Sequence, residues 1–238
     1  MLLDLPPEIL VNITSLLSSK DLSSLRLVSS TLRFYCDNPS NWRSIYLEPP
    51  SNQIWKLIDL KLILHPHLSH IQSIHIWGVR DSIVRYILSF CVNLKHLTVC
   101  GWTTLSDHSL YLEPTQLLDI RSIKFIGLPK QTNYVSIDAQ TLGKFIIQSP
   151  QLNDLVLGCQ LHVHADTLIS ELEKSIATPH LKSFTLASRQ TWKNEHIVRF
   201  IRIYPSIEKI QLLPDASHGF NNIESFNFWI TQKVRNKL

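Results

Sequence analysis

The chain has 238 residues, a formal net charge of +4, 44% hydrophobic residues and only 18% charged ones. That apolar fraction supplies a real core and excludes global disorder, and the length allows one or two domains. The positive charge is scattered, with no Lys/Arg run, so no nucleic-acid partner is expected. No apolar run reaches the ~18 residues of a membrane span.

The four cysteines are Cys36, Cys91, Cys100 and Cys159, and none forms a C-x-x-C pair. Acidic and proline residues interrupt positions 1–10, so no signal peptide is expected there. Free thiols in a reducing compartment follow, placing the protein in the cytoplasm, the nucleus or both.

The chain opens Leu5-Pro6-Pro7-Glu8-Ile9-Leu10. Proline suits a helix start because the first helical N–H groups have no partner, and Glu8 complements the helix dipole. Ile9, Leu10, Ile13, Leu16 and Leu17 follow at helical spacing. Ser18-Ser19-Lys20 breaks the pattern, and Asp21 is the expected N-cap of a second helix lined by Leu22, Leu25 and Val28. Ser29 or Ser30 caps a third, through Leu32, Phe34 and Tyr35, which ends near Asn38-Pro39 before Trp42. Three short helices bury too little surface to stand alone. Either their apolar residues pack on the rest of the chain, or some are kept for another protein.

Glu48-Pro49-Pro50-Ser51-Asn52 is a break, giving an expected helical module over 1–48 and a second unit over 49–238. Residues 53–64 read as a helix. Six similar strand units follow, beginning at Ile71, Leu94, Ile120, Leu152, Leu181 and Ile207, at steps of 23, 26, 32, 29 and 26 residues. Each places apolar residues first, fourth and sixth. A period of this size means stacked units that bury apolar edges on one another. Gly78, Gly101 and Gly127 recur seven residues after the unit start, with Gly158 at six, where glycine eases a tight turn. Pro150, Pro179 and Pro205 recur two residues before it, where proline ends a helix.

The intervals carry helical patterns: Ile83, Val84, Ile87 and Leu88; Leu142, Phe145 and Ile146; Leu168, Ile169, Leu172 and Ile176; Ile197, Val198, Phe200 and Ile201. Strand, turn and helix repeated give an α/β solenoid, parallel strands on the concave side and helices on the convex side, so the chain is α+β overall. Residues 220–234 are expected to form a terminal cap. Strand alternation sends the third, fifth and seventh positions of each unit to the concave face. His75, Trp77, His96, Lys124 and Val156 are the candidate target contacts there. Trp77 is either an interface anchor or a packing residue. Trp102 and Trp192, in turns after strands, read as packing residues. Lys124 and Lys209 hint at an acidic or phosphorylated ligand.

His65, His67 and His70 are dense enough to raise zinc, and His162 and His164 form a further pair. Neither group has an acidic or cysteine ligand at a familiar spacing, so no metal or cofactor is expected. Nothing resembles a nucleophile elbow or a phosphate-binding loop. Cys91 and Cys100, with His96 and His108 nearby, are better explained as repeat positions. No catalytic residue is nominated, and no enzyme activity is expected.

The order Leu5-Pro6-x-Glu8-Ile9, Ile13, Leu16-Leu17, Asp21-Leu22, Leu25, Val28-Ser29, Arg33 and Trp42 resembles an F-box over about the first 46 residues. The tryptophan often found after the Val-Ser pair is absent. The resemblance implies docking on the Skp-type linker subunit of an SCF-type cullin–RING ubiquitin ligase, and through it on a cullin. Leu5, Pro6, Ile9, Ile13 and Leu17 are then the candidate linker contacts. Residues 71–213 resemble a degenerate leucine-rich-repeat array, including Thr104-Leu105-Ser106-Asp107-x-x-Leu110. The family's usual Asn or Cys is replaced by Val79, Trp102, Leu128, Gln160, Arg189 and Asp215. Without it the turns must satisfy their backbone differently. Together the resemblances imply a substrate-recognition adaptor whose repeats hold an unidentified target protein. The alternative is a repeat-based interaction scaffold unrelated to ubiquitination.

Overall fold

The structure is a computed structural model, and it describes residues 4–48, 54–127, 134–161, 163–175, 180–188 and 192–213. The expected terminal cap at 220–234 lies outside these residues.

Three helices open the chain: α1 (Pro7–Ser15), α2 (Ser19–Leu25) and α3 (Ser30–Cys36). Pro6 and Pro7 bracket the start of α1, and Glu8 lies in its first turn. Ser18, not Asp21, caps α2. Its Oγ accepts the Asp21 N–H at 3.1 Å and donates to the Asp21 carboxylate at 2.6 Å. The serine run that breaks the apolar pattern is therefore the start signal itself, and Asp21 closes the cap from three residues inside. Ser29 caps α3 by accepting the Leu32 N–H. A short 3₁₀ turn, Pro39–Trp42, follows, with Asn38 accepting the Ser40 N–H.

Behind it lies a seven-stranded sheet: β1 (Ser44–Leu47), β2 (Ser73–Val79), β3 (His96–Trp102), β5 (Ser122–Ile126), β7 (Asp154–Leu161), β8 (Ser183–Ser188) and β9 (Lys209–Leu213). Every neighbouring pair is parallel, and the strands lie side by side in chain order. The register joins like positions of the repeat: Ser44, Ser73, His96, Ser122, Asp154, Ser183 and Lys209 form one row. Between strands run α4 (Leu57–Leu64), α5 (Asp81–Phe90), α6 (Asp107–Leu110), α7 (Ala139–Ile147), α8 (Ala165–Leu172) and α9 (Asn194–Ile203). A separate parallel pair, β4 (Thr104–Ser106) with β6 (Tyr134–Ser136), has no counterpart in the sequence reading. The molecule is thus a mixed α/β chain, with N-terminal helices ahead of a parallel sheet.

The first, fourth and sixth positions of the units carry the core. Ile71, Ile74 and Ile76 are buried, as are Leu94, Leu97, Val99, Leu152, Leu155 and Leu157. Ile83, Val84, Ile87, Leu142, Phe145, Ile146, Leu168 and Ile169 meet them from the helices. In α9 only Phe200 of the four expected residues is buried, while Val198 and Ile201 are exposed.

The strand entries are joined by a repeated hydrogen-bond device. The second-position carbonyl of each unit accepts the second- and third-position N–H groups of the next. Arg43 O serves Gln72 and Ser73, Gln72 O serves Lys95 and His96, and Lys95 O serves Arg121 and Ser122. Arg121, Asn153 and Lys182 continue the series, all within 2.7–3.1 Å. Arg43 is in this series because Trp42-Arg43-Ser44-Ile45-Tyr46-Leu47 is itself a strand unit, with Trp42 in first position. The boundary expected at 48/49 thus falls after the first strand of the sheet, not before it.

Acidic residues at two helix starts tie one unit to the next. The Asp81 carboxylate, at the head of α5, accepts the Ser106 N–H at 2.7 Å and its hydroxyl at 2.8 Å. Asp107, at the head of α6, accepts the Asp138 N–H at 2.8 Å, and Asp138 in turn caps α7 through Thr141. At these two places one unit satisfies a backbone N–H of the next. Of the four glycines, Gly78 and Gly101 take the left-handed conformation, at φ 64° and 68°, which side chains resist. All three of Gly78, Gly101 and Gly158 lie within their strands rather than in a turn beyond them.

Candidate partner-docking surfaces

The N-terminal helices divide their apolar residues between two sides. In α1, Leu10 and Thr14, four apart, face inward. Ile9 is 43% exposed and Leu5 36%, and Pro6 is exposed. Of the other two candidate linker contacts, Ile13 and Leu17 are half-buried, and Leu17 packs against the main core. Five exposed apolar side chains of the described helical segment were not among the candidates: Val11 at 36%, Leu16 at 86%, Leu27 at 75%, Val28 at 70% and Phe34 at 76%. The signal for Phe34 was in the sequence. It sits two residues from both Leu32 and Cys36, the buried i, i+4 pair of α3, and so faces away from them. Leu27 and Val28 follow the end of α2, where helical phase no longer applies.

The inward side is fastened to the sheet. Trp42 is fully buried, donates its indole N–H to the Cys36 carbonyl at 2.8 Å, and stacks on His67 with ring centroids 3.6 Å apart. Arg26 forms a two-pronged pair with Asp37, at 2.8 and 2.9 Å, and Asp37 lies 3.6 Å from His67 Nε2. Burial pushes the His67 imidazole down to about 4, against the opposing pull of the Asp37 carboxylate. His67 is therefore a neutral core residue at neutral pH. Trp55, also buried, donates its indole N–H to the Leu47 carbonyl.

On the second surface, the side of the sheet bearing third and fifth positions, three rings form a row. Tyr46 and His75 lie 5.2 Å apart, and His75 stacks on Trp77 at 4.1 Å and 6°. His75 Nε2 is 3.3 Å from the Cys100 sulfur. Burial lowers the affinity of His75 for a proton. His96 is exposed and is also lowered, first by partial burial and then by the positive charges of Arg121, Lys124 and Lys95. Lys124 is ion-paired to Asp154 at 2.9 Å, and Asp154 also accepts from Ser122 Oγ. That pair cancels the positive charge read at Lys124. Val156 lies on the same side but is only 7% exposed, so it offers a partner little area. His75, Trp77, His96 and Lys124 are brought together on β2, β3 and β5, while Val156 lies one strand further on. Trp102 is buried, and half-buried Trp192 packs on Phe184 and Phe200.

Among the described residues the four cysteines are all buried. Burial raises the Cys91, Cys100 and Cys159 thiols to about 12, and burial together with Asp37 raises Cys36. All four are therefore protonated near neutral pH, the form that is not the nucleophile. Of the first histidine group, His67 is sealed under Trp42 while His65 is exposed. Among the described residues no three His, Cys, Asp or Glu side chains are grouped to hold a metal ion. His162 lies outside those residues. Among the described residues no helix is long and apolar enough to cross a membrane.

No curated protein matches the chain. A family model described as F-box-like matches residues 2–48, the segment that spans α1 to β1, so the N-terminal module of this protein is F-box-like.

Proposed function

We propose that the protein is a substrate-recognition adaptor of an SCF-type cullin–RING ubiquitin ligase. The F-box-like module docks on the Skp-type linker subunit, and the strand-and-helix units, read as a degenerate leucine-rich-repeat solenoid, hold a target protein. The chain needs no catalytic group or cofactor for this role. Holding the target near the ligase raises the effective concentration of the reacting groups, which speeds transfer without chemistry in the adaptor. The role belongs in the cytoplasm, the nucleus or both.

The observation that carries the reading is the two-sidedness of the module. Its inward face is fixed by the Trp42–His67 stack and by β1, while Leu5, Ile9, Leu16, Val28 and Phe34 remain exposed. Large apolar side chains kept in water on a short module indicate a protein partner. The alternative, a scaffold capped by its own N-terminal helices, is favoured by that tight junction. It gives no reason for the exposed side.

Binding of the full chain to the purified linker subunit tests the reading. Leu5→Ala with Ile9→Ala is expected to weaken binding by roughly ten-fold or more, a loss of about 1.4 kcal/mol. The thermal midpoint should barely move, because both side chains are already exposed. A folded full chain that does not bind the linker would leave the scaffold reading standing.

A further inference from the structure

The strand-entry edge of the sheet carries charge in a pattern of its own. The second positions of the first four units are Arg43, Gln72, Lys95 and Arg121, joined by the carbonyl ladder described above. Strands lie ~4.8 Å apart, so Arg43 and Arg121 are separated by roughly 14 Å. Arg43 and Arg121 are exposed and Lys95 is half-exposed. Among the described residues no carboxylate lies within ion-pairing distance of any of the three, whereas Lys124 and Lys182 are matched by Asp154 and Glu208. The positive charge is therefore concentrated on the N-terminal half of the edge and cancelled on the rest. His96 holds its proton less tightly, first through partial burial and then through the charges of Arg121, Lys124 and Lys95, with Asp154 opposing them.

The ring row of Tyr46, His75 and Trp77 lies on these same strands, at fifth and seventh positions. Three residues of strand, roughly 10 Å, separate the fifth positions from the cations. Tyr46 is 64% exposed at the sheet's first strand, so the row opens to solvent there.

We propose that β1, β2, β3 and β5 bind an acidic segment of the target protein: a run of about four Asp or Glu residues along Arg43, Lys95 and Arg121, with one large apolar side chain seated against Tyr46 and the His75–Trp77 stack. This rests on the target-binding reading of the sheet. An extended peptide rises ~3.3 Å per residue, so about four acidic residues match the cation run and about three more reach the rings. Nucleic acid is a poorer fit, because Asp154 and Glu208 interrupt the edge where a longer phosphate chain would continue.

The test is fluorescence anisotropy of the full chain with a labelled peptide, Trp-Ser-Gly-Ser followed by four Glu. Controls are the same peptide with Lys for Glu and a single-stranded RNA of similar length. The acidic peptide should bind in preference to both. Lys95→Glu with Arg121→Glu should weaken it at least ten-fold, and Tyr46→Ser, an exposed change that spares the core, should weaken it several-fold. Equal binding by acidic and basic peptides, indifference to charge reversal, or tighter binding of the RNA would each overturn the proposal. Linker binding is measured on the same preparations. Linker binding without preference for the acidic peptide overturns the peptide site alone. Preferred peptide binding without linker binding upholds the site and overturns the adaptor role.

Discussion

His67 gives the fold a measurable weakness in mild acid. The imidazole is buried beneath Trp42, and burial holds it down to about 4, against 6.5 for an exposed histidine. Between these values the unfolded chain binds the proton and the folded chain does not. Stability from this site is therefore fully present above about pH 6.5 and is lost as the pH falls toward 4. By linkage the loss is about 1.4 kcal/mol at pH 5.5 and about 2.6 kcal/mol at pH 4.5. A substantial fraction of the 5–15 kcal/mol typical of a folded domain is at stake. The perturbation is His67→Phe, which keeps an aromatic ring against Trp42 and removes the titration. Urea unfolding of both proteins from pH 7.5 to 4.5 gives the difference, because the carboxylates and histidines away from the junction titrate alike in both. The wild-type curve should fall below the variant by about 2–3 kcal/mol more at pH 4.5 than at pH 7.5. Parallel curves would refute the assignment of His67 as a neutral residue sealed in the junction.

Other substitutions test the packing between units. Gly143→Ala would put a methyl 2.8 Å from Glu171 Cβ, so α7 and α8 must separate; a loss of about 1–3 kcal/mol is expected by chemical denaturation. Asp81→Ala strips both hydrogen bonds from Ser106 and should cost about 1–3 kcal/mol, with faster amide exchange at Ser106 by hydrogen-exchange mass spectrometry. Cys100 should resist alkylation in the native protein and react on unfolding, since its sulfur is buried and its thiol is raised to about 12; prompt native labelling would contradict the burial.

Much of the sheet was legible because repetition reports on itself. Units at Ile71, Leu94, Ile120, Leu152, Leu181 and Ile207 became strands in a register that joins like positions. The first unit, at Trp42, was hidden by chemistry: a tryptophan stands where the others have Leu or Ile, and it lies inside the helical module's own pattern. The β4–β6 pair escaped because three-residue strands carry no usable period. Ser18 was read as a break because a serine before Asp21 is ambiguous until the hydroxyl is seen accepting the Asp21 N–H.

The docking surfaces divide in the same way. The sequence by itself determined which side chains share a face, since alternation and helical period follow from backbone geometry. It therefore placed His75, Trp77, His96 and Lys124 on one side of the sheet. Tertiary structure alone decided what each face meets. It paired Lys124 with Asp154, left Val156 little exposed, sealed His67 beneath Trp42, and kept Leu16, Val28 and Phe34 in water. Burial and charge pairing depend on neighbours that are distant in the chain. Asp37 reaches His67 across 30 positions and Lys124 reaches Asp154 across 30, and no local pattern encodes either meeting.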